Sequence, residues 1–146
     1  MIKRTIACLL AVFSTAGPVL AKCSGPHDGM VDIYPTAKEL PSNLLRIYVY
    51  FPRPMNADEG VKNITLLDSD GRSIEGVFLT NRADLWSPDR RRLTLLLNPG
   101  RVKTGLQAHD VLGRALIEGK SYTFEVEGSA LDAVGCPLGL DTRRSF

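Results

Sequence analysis

Residues 44–51 read LLRIYVYF, and this stretch decides the fold class. Its apolar side chains occupy every second position, with an arginine and two tyrosines between them. The apolar positions are Leu45, Ile47, Val49 and Phe51, and the alternating ones are Arg46, Tyr48 and Tyr50. Because successive side chains of a strand point to opposite faces, the pattern predicts a strand with one face in a core. Its other face would carry amphipathic aromatic side chains.

The same alternation recurs along the chain in short runs separated by turn-forming residues. Further strands are predicted at residues 30–34, 64–67, 73–79, 93–97 and 122–126. Residues 68–71, Asp-Ser-Asp-Gly, favour a hairpin turn because glycine tolerates a positive φ. Residues 56–62 and 110–118 have short helical patterns, and residues 139–146 form either a frayed end or a final edge strand. This order predicts an all-β fold, an Ig-like antiparallel β-sandwich with one or two short helical turns.

The first residues have the pattern of a secretory signal peptide. A basic start precedes an unbroken apolar run at residues 6–13, and Val19 and Ala21 stand at the −3 and −1 positions of a cleavage site. The apolar run is far shorter than the roughly 20 residues that a membrane span needs. We therefore predict a signal peptide at 1–21 and a single Ig-like β-sandwich domain at 22–146, exported to the periplasm or the extracellular space.

The charge balance limits the classes of partner. The chain has 18 Lys and Arg against 16 Asp and Glu, and cleavage after Ala21 removes two basic side chains, which leaves a neutral domain. A neutral domain lacks the basic footprint of a nucleic-acid binder. No window after the leader reaches transmembrane length. The composition therefore predicts a soluble exported domain that does not bind nucleic acid; an envelope protein or a glycan is the partner considered for the charged residues below.

Two of the 3 cysteines remain after the leader is removed, Cys23 and Cys136. They lie near the two ends of the predicted domain, in a compartment that permits disulfides. A bond between them would close a loop of nearly the whole domain. The alternative is two unpaired thiols, because sequence alone does not place the two Cα atoms within bonding distance.

Residues 34–76 resemble the bacterial Ig-like domain of the surface-layer type. In that family a Pro and a P.N turn lead to a strand that ends in an F..PM corner, followed by a strand and a D-x-x-G hairpin. The stretch LDAVGCPL at 131–138 resembles the turn that closes such domains. The matching positions are Pro35, Pro41, Asn43, Phe51, Pro54, Met55, Asp68, Gly71, Asp132, Gly135, Pro137 and Leu138. The resemblance covers roughly residues 28–146 and implies a spacer, adhesion unit or accessory domain without a catalytic residue.

A second resemblance is to the periplasmic copper-carrier family, whose Ig-like sandwich has a similar early layout. In that family the mature N-terminus begins with a metal-binding His, whereas this domain would begin Lys22-Cys23. His27 and His109 are the 2 histidines of the chain, and they form a metal site only if the fold brings them together. The alternative function is therefore a periplasmic copper carrier that uses His27 and His109.

Arg90-Arg91-Arg92 is the sharpest charge feature, and Arg101 and Lys103 follow across a predicted strand. These cations have two interpretations. They form a patch for an anionic glycan, a lipopolysaccharide phosphate or an acidic protein. Otherwise they belong to a solvated turn whose charge discourages edge-to-edge pairing of sheets.

No catalytic or cofactor motif of the G-x-S-x-G, H-E-x-x-H or phosphate-loop type is present. The run Asp68-x-Asp70-Gly71 matches the opening of a calcium loop, but Leu79 stands where such a loop needs a bidentate Glu. We interpret it as a turn, and Trp86 as a core or rim aromatic. The sequence thus predicts an exported Ig-like binding or structural module of the bacterial envelope, without cofactor and without catalytic activity.

Overall fold

The alternating stretch around Ile47 forms the middle strand of a three-stranded sheet. A computed structural model describes Cys23 and residues 30–58, 60–79 and 85–146, and in them six strands form two antiparallel sheets. The predicted leader at 1–21 lies outside the described residues. The strands are β1 (Asp32–Tyr34), β2 (Arg46–Tyr50), β3 (Ile64–Leu67), β4 (Arg92–Leu96), β5 (Thr123–Val126) and β6 (Thr142–Ser145).

The first sheet has the order β1-β2-β4 and one apolar face. Ile33, Val49 and Leu93 are paired across the three strands, and all of them are buried. Ile47 and Leu95 form the next buried pair. The predicted inward row of β2 is therefore confirmed, except at Leu45, which precedes the strand and is 51% exposed.

The second sheet has the order β3-β5-β6, and its inner face is centred on Phe124, which is fully buried. The edge strand β6 settles the alternative left open for residues 139–146. Arg144 of β6 pairs with Phe124 in register, so its side chain is directed between the sheets. Its guanidinium donates to the carbonyls of Pro35 (3.1 Å) and Ala37 (3.4 Å), which links this edge to the chain that follows β1.

The inner faces of both sheets share one hydrophobic cluster, as an all-β sandwich requires. Phe78 and Phe124 meet edge to face with ring centroids 5.9 Å apart. Trp86 packs on Phe51 at 5.5 Å and donates its indole N–H to Ala57 O, which confirms it as a rim aromatic. Full burial of each large apolar side chain contributes about 2 kcal/mol. The predicted all-β sandwich is confirmed.

The turn at Asp68 is confirmed, but the strand predicted at residues 73–79 is not formed. Asp68 Oδ1 accepts hydrogen bonds from the backbone N–H groups of Asp70 and Arg72, and Gly71 takes a φ of 76°. Ser73 then pairs with Leu67 of the second sheet through an isolated bridge, whereas Phe78 pairs with Leu97 beside the first sheet. The segment crosses from one sheet to the other, so neither sheet gains a continuous strand.

The helical segments are short, and their positions differ from the predicted ones. A 3-10 turn covers Gly60–Asn63, at the end of the predicted segment 56–62. Two α-helices, α1 (Pro99–Val102) and α2 (Gln107–Leu112), follow β4. The Asn98 side chain accepts from Gly100 N and starts α1, where Pro99 fits because a first-turn N–H needs no partner. The helix predicted at 110–118 begins earlier and ends at Leu112.

A disulfide joins Cys23 to Cys136, whose Cα atoms lie 5.5 Å apart. It connects Cys23, nine positions before the start of β1, with the turn that precedes β6. The predicted pairing is therefore present, and the alternative of two unpaired thiols is not. Within the described residues, no helix is long and apolar enough to cross a membrane.

Candidate functional site

Tyrosine and arginine side chains cover the outer surface of the first sheet. The cross-strand register places Tyr50 between Asp32 and Arg92, and it places Tyr48 between Tyr34 and Thr94. Paired residues of an antiparallel sheet share a face, so these side chains form two adjacent rows. We call this surface the tyrosine face; it consists of Asp32, Tyr34, Arg46, Tyr48, Tyr50, Arg92, Thr94 and Leu96.

Two tyrosines on this face are open to solvent. Tyr34 is 43% exposed and Tyr50 is 40% exposed, and their rings meet edge to face with centroids 5.5 Å apart. Asp32 joins them in lining a shallow cavity of about 230 Å³. An aromatic ring with a polar tip binds both apolar and hydroxylated groups, which explains why tyrosine is common in interfaces.

The cations of the tyrosine face are free to bind a ligand. Arg46 Nη1 donates a hydrogen bond of 3.4 Å to Tyr48 Oη, another member of the face. Arg92 is exposed, and among the described residues neither arginine forms an ion pair. A guanidinium without a carboxylate partner presents a planar set of donors suited to an external carboxylate or phosphate.

The arginine run leads directly into this face. The carbonyl of Arg91 accepts from Phe51 N (2.8 Å) and that of Arg90 accepts from Met55 N (2.9 Å), so the main chain is fixed while the side chains stay exposed. Arg90 has a φ of 55°, in the left-handed region that non-glycine residues seldom adopt. Strained backbone of this kind tends to occur in binding sites. Arg90 and Arg91 thus extend the positive charge of Arg92 beyond the strand.

A side-chain network holds the turn before the arginines. Ser87 Oγ donates to Asp89 Oδ1 (2.5 Å) and accepts from Arg92 N (2.9 Å), and Asp89 Oδ1 accepts from Arg91 N (3.2 Å). The hydrogen bond from Ser87, and then that from Arg91 N, lowers the pKa of Asp89 below its ordinary value. The Asp89 carboxylate therefore stays ionised to a lower pH than an ordinary aspartate and accepts the hydrogen bonds that hold the turn.

Arg101 does not belong to the cationic patch, so that part of the prediction is wrong. It is 5% exposed, and burial lowers the pKa of its guanidinium. The side chain donates to the carbonyls of Gly113 (2.7 Å), Arg114 (3.4 Å) and Glu75, so it joins three chain segments. Backbone carbonyls that are removed from water need hydrogen-bond donors, and the guanidinium supplies them to three, which is the physical reason for its burial.

Lys103 is exposed, but it lies away from the arginine run. Arg92 begins the five-residue strand β4, and Lys103 follows helix α1 beyond the other end of that strand. Four steps along a strand cover about 13 Å, so the two cations lie beyond opposite ends of β4. The predicted patch is therefore divided, with Arg90, Arg91 and Arg92 at one end and Lys103 at the other.

We expect Arg101→Met to lower the free energy of unfolding by about 2 kcal/mol, because three backbone carbonyls lose a charged donor. Urea denaturation measures the change. Arg101→Lys is the matched control and should recover only part of the loss, since an ammonium cannot reproduce the planar fork. A loss below about 0.5 kcal/mol, the usual range for surface substitutions, would contradict the role assigned to Arg101.

The outer surface of the second sheet differs in chemistry. Its polar side chains are paired with each other: Arg143 binds Glu125, and the hydroxyl groups of Thr123 and Ser145 are 2.9 Å apart. A larger cavity of about 870 Å³ lies between residues 38–43 and 114–122, and its charged side chains have both signs. The tyrosine face combines exposed tyrosines with arginines that form no ion pair among the described residues, so it is the better candidate.

The two histidines do not define a site in the described part of the chain. His27 lies outside the described residues. His109 lies on α2, with Nδ1 4.0 Å from Asp110 Oδ1 and with Nε2 buried and without a hydrogen-bond partner. No group of three His, Cys, Asp or Glu side chains suited to a metal occurs among the described residues. The copper-carrier alternative stays a prediction.

The sequence indicated part of the tyrosine face, since Tyr48 and Tyr50 alternate with the apolar row of β2. Tyr34 ends the predicted strand 30–34, but its contact with Tyr50 and the pairing of Tyr50 with Arg92 depend on strand order, for which the sequence has no local signal. No protein-family model matches the chain, and the curated proteins contain no match.

Proposed function

We propose that the chain is an exported Ig-like binding module of the bacterial envelope, and that the tyrosine face is its ligand surface. Three features support this proposal. The N-terminal sequence has the pattern of an export signal. The Cys23–Cys136 disulfide suits an oxidising compartment. The turn around Asp132 resembles the closing turn of bacterial Ig-like domains of the surface-layer type.

The observation that carries the proposal is the difference between the two outer sheet surfaces. Both sheets bury an apolar face in the same core, so folding does not require the outer faces to differ. The second sheet satisfies its outer polar groups internally. The first sheet leaves Tyr34, Tyr50, Arg46 and Arg92 open to solvent. Aromatic and arginine side chains that fold stability does not explain are typical of a binding surface.

A co-sedimentation assay with purified bacterial cell envelopes tests the proposal. We expect the folded domain to sediment with the envelopes, and we expect the double variant Tyr34→Ser, Tyr50→Ser to raise the apparent Kd at least tenfold, equal to about 1.4 kcal/mol. Both side chains are exposed, so the variant should fold normally, which circular dichroism checks.

Arg143→Ser is the matched control, because it removes an exposed cation from the outer surface of the second sheet. Its binding should equal that of the unsubstituted protein. Equal binding by the tyrosine double variant, or absence of envelope binding by the unsubstituted protein, would reject the tyrosine face as the ligand surface.

A further inference from the structure

We infer that the ligand of the tyrosine face is an acidic polysaccharide, a chain of sugar rings that carry carboxylates. This inference rests on the proposed function and names the chemical class of the ligand.

The tyrosine rings suit the two kinds of surface that a sugar presents. A sugar ring presents apolar C–H groups on one face and hydroxyl groups around its edge. Tyr34 and Tyr50 offer exposed aromatic surface for the C–H groups, and their hydroxyl groups and the Asp32 carboxylate offer hydrogen bonds to the edge. A shallow cavity of about 230 Å³ is suited to a ring laid on the surface rather than to a buried small molecule.

The tyrosine face carries a local excess of positive charge. Arg46 and Arg92 outnumber Asp32 on the face, and Arg90 and Arg91 extend the positive charge past the start of β4. The domain predicted after cleavage is neutral overall, so this local excess selects for anionic ligands where bulk charge does not. Arginine recognises carboxylates through two parallel hydrogen bonds, and the side chains of Arg46 and Arg92 form no ion pair among the described residues.

The two arginines of the tyrosine face lie far apart along the strand direction. Arg46 and Tyr50 are four positions apart on β2, and Arg92 is the cross-strand neighbour of Tyr50. The two arginines are therefore separated by about 13 Å along the strand direction. A single sugar ring is shorter than this backbone separation, whereas a short oligomer spans it. The face therefore favours oligosaccharides over the corresponding monosaccharide.

The composition of the face favours a glycan over an acidic protein. A protein interface has an apolar, well-packed centre. Here Leu96 is the aliphatic member of the face, and it is only half-exposed at the end of β4. The other members all carry a hydroxyl, carboxylate or guanidinium group. Such a surface suits a ligand with hydrogen-bonding groups along its whole length.

Titration calorimetry with three acidic oligosaccharides tests the inference: oligogalacturonate, oligomannuronate and hyaluronate fragments. We expect at least one to bind, the monosaccharide to bind at least tenfold more weakly, and the methyl ester of the binding oligomer, which keeps the rings but loses the charge, to bind at least tenfold more weakly. Binding should weaken as salt is raised, because the charged contacts are exposed.

Two variants separate the contributions of charge and ring. Arg92→Gln should raise the Kd of the acidic oligomer at least fivefold and leave the Kd of the methyl ester unchanged. Tyr50→Ala should raise the Kd of both ligands. Arg143→Gln on the second sheet is the control and should change neither. Equal losses for the ester and the acid in Arg92→Gln would overturn the assignment of carboxylates to the arginines.

The outcomes also distinguish this inference from the proposed function. If envelope binding depends on the tyrosines but none of the three oligosaccharides binds, the acidic-glycan inference is rejected and the binding module stands. Polyglutamate that binds as tightly as the oligosaccharide would identify an acidic protein segment as the ligand class and overturn the inference. Absence of envelope binding rejects the proposed function itself.

Discussion

Replacing Asp132 with alanine is expected to lower the free energy of unfolding by about 3 kcal/mol, because the Arg53 guanidinium, whose side chain is only 23% exposed, loses its carboxylate partner. The Asp132 side chain is 6% exposed, and its Oδ2 lies 2.7 Å from Arg53 Nε. The contact is an ion pair without hydrogen-bond alignment, and Arg53 also donates to Pro137 O at 2.6 Å.

The other oxygen of Asp132 adds to the expected loss. Oδ1 accepts hydrogen bonds from Val134 N (3.0 Å) and Cys136 N (2.8 Å), so the carboxylate organises the turn in which Gly135 takes a φ of 86°. Removal of the side chain leaves two N–H groups without their acceptor, and that of Cys136 is buried. Asp132→Asn keeps an acceptor at Oδ1 and should cost less than Asp132→Ala.

The chain contains a matched control for this prediction. Arg72 and Asp70 also form a pair at 2.7 Å, but their side chains are 76% and 62% exposed. Exposed pairs contribute 0–1 kcal/mol because solvent screens both charges. Asp70→Ala should therefore change the urea midpoint little. Losses of similar size in Asp132→Ala and Asp70→Ala would show that burial does not decide the contribution of these pairs.

The sheet core was predictable because its signal is local. Alternation of side chains over a few residues identified β2 and β4, and the inner row at Ile47, Val49 and Leu93 follows directly from it. Residues 73–79 have the same local pattern, yet they cross between the sheets. The crossing is decided by pairing with Leu67 at one end and Leu97 at the other, and a local pattern does not contain that information.

The candidate site was predictable only in part, for a similar reason. The cations around β4 read as one group in sequence, but their exposure depends on distant partners. Arg101 is buried because carbonyls of Glu75, Gly113 and Arg114 converge on it. Arg92 is exposed beside Tyr50 because β4 is the neighbour of β2. The residue types are visible in the sequence, whereas the order of the strands determines which of these side chains become neighbours.

Replacing both cysteines with serine, Cys23→Ser with Cys136→Ser, is expected to lower the free energy of unfolding by about 4–5 kcal/mol. The disulfide spans 113 residues, and cross-linking so long a segment removes much entropy from the unfolded chain. This figure is the full chain-entropy value, against a typical domain stability of about 5–15 kcal/mol. Urea denaturation with and without reductant measures it. Reductant should destabilise the unsubstituted protein and leave the double variant unchanged.

The disulfide and the Asp132 turn should act as one unit. Cys136 N donates to Asp132 Oδ1, and Asp132 N donates to Cys136 O at 2.8 Å, so the carboxylate fixes the half-cystine that ties Cys23 to the sandwich. Residues in one network give non-additive losses. Asp132→Ala in the cysteine-free background should therefore cost at least 1 kcal/mol less than in the disulfide-bonded protein, a difference within the usual range of coupling energies. Additive losses would show that the turn holds its shape independently of the disulfide.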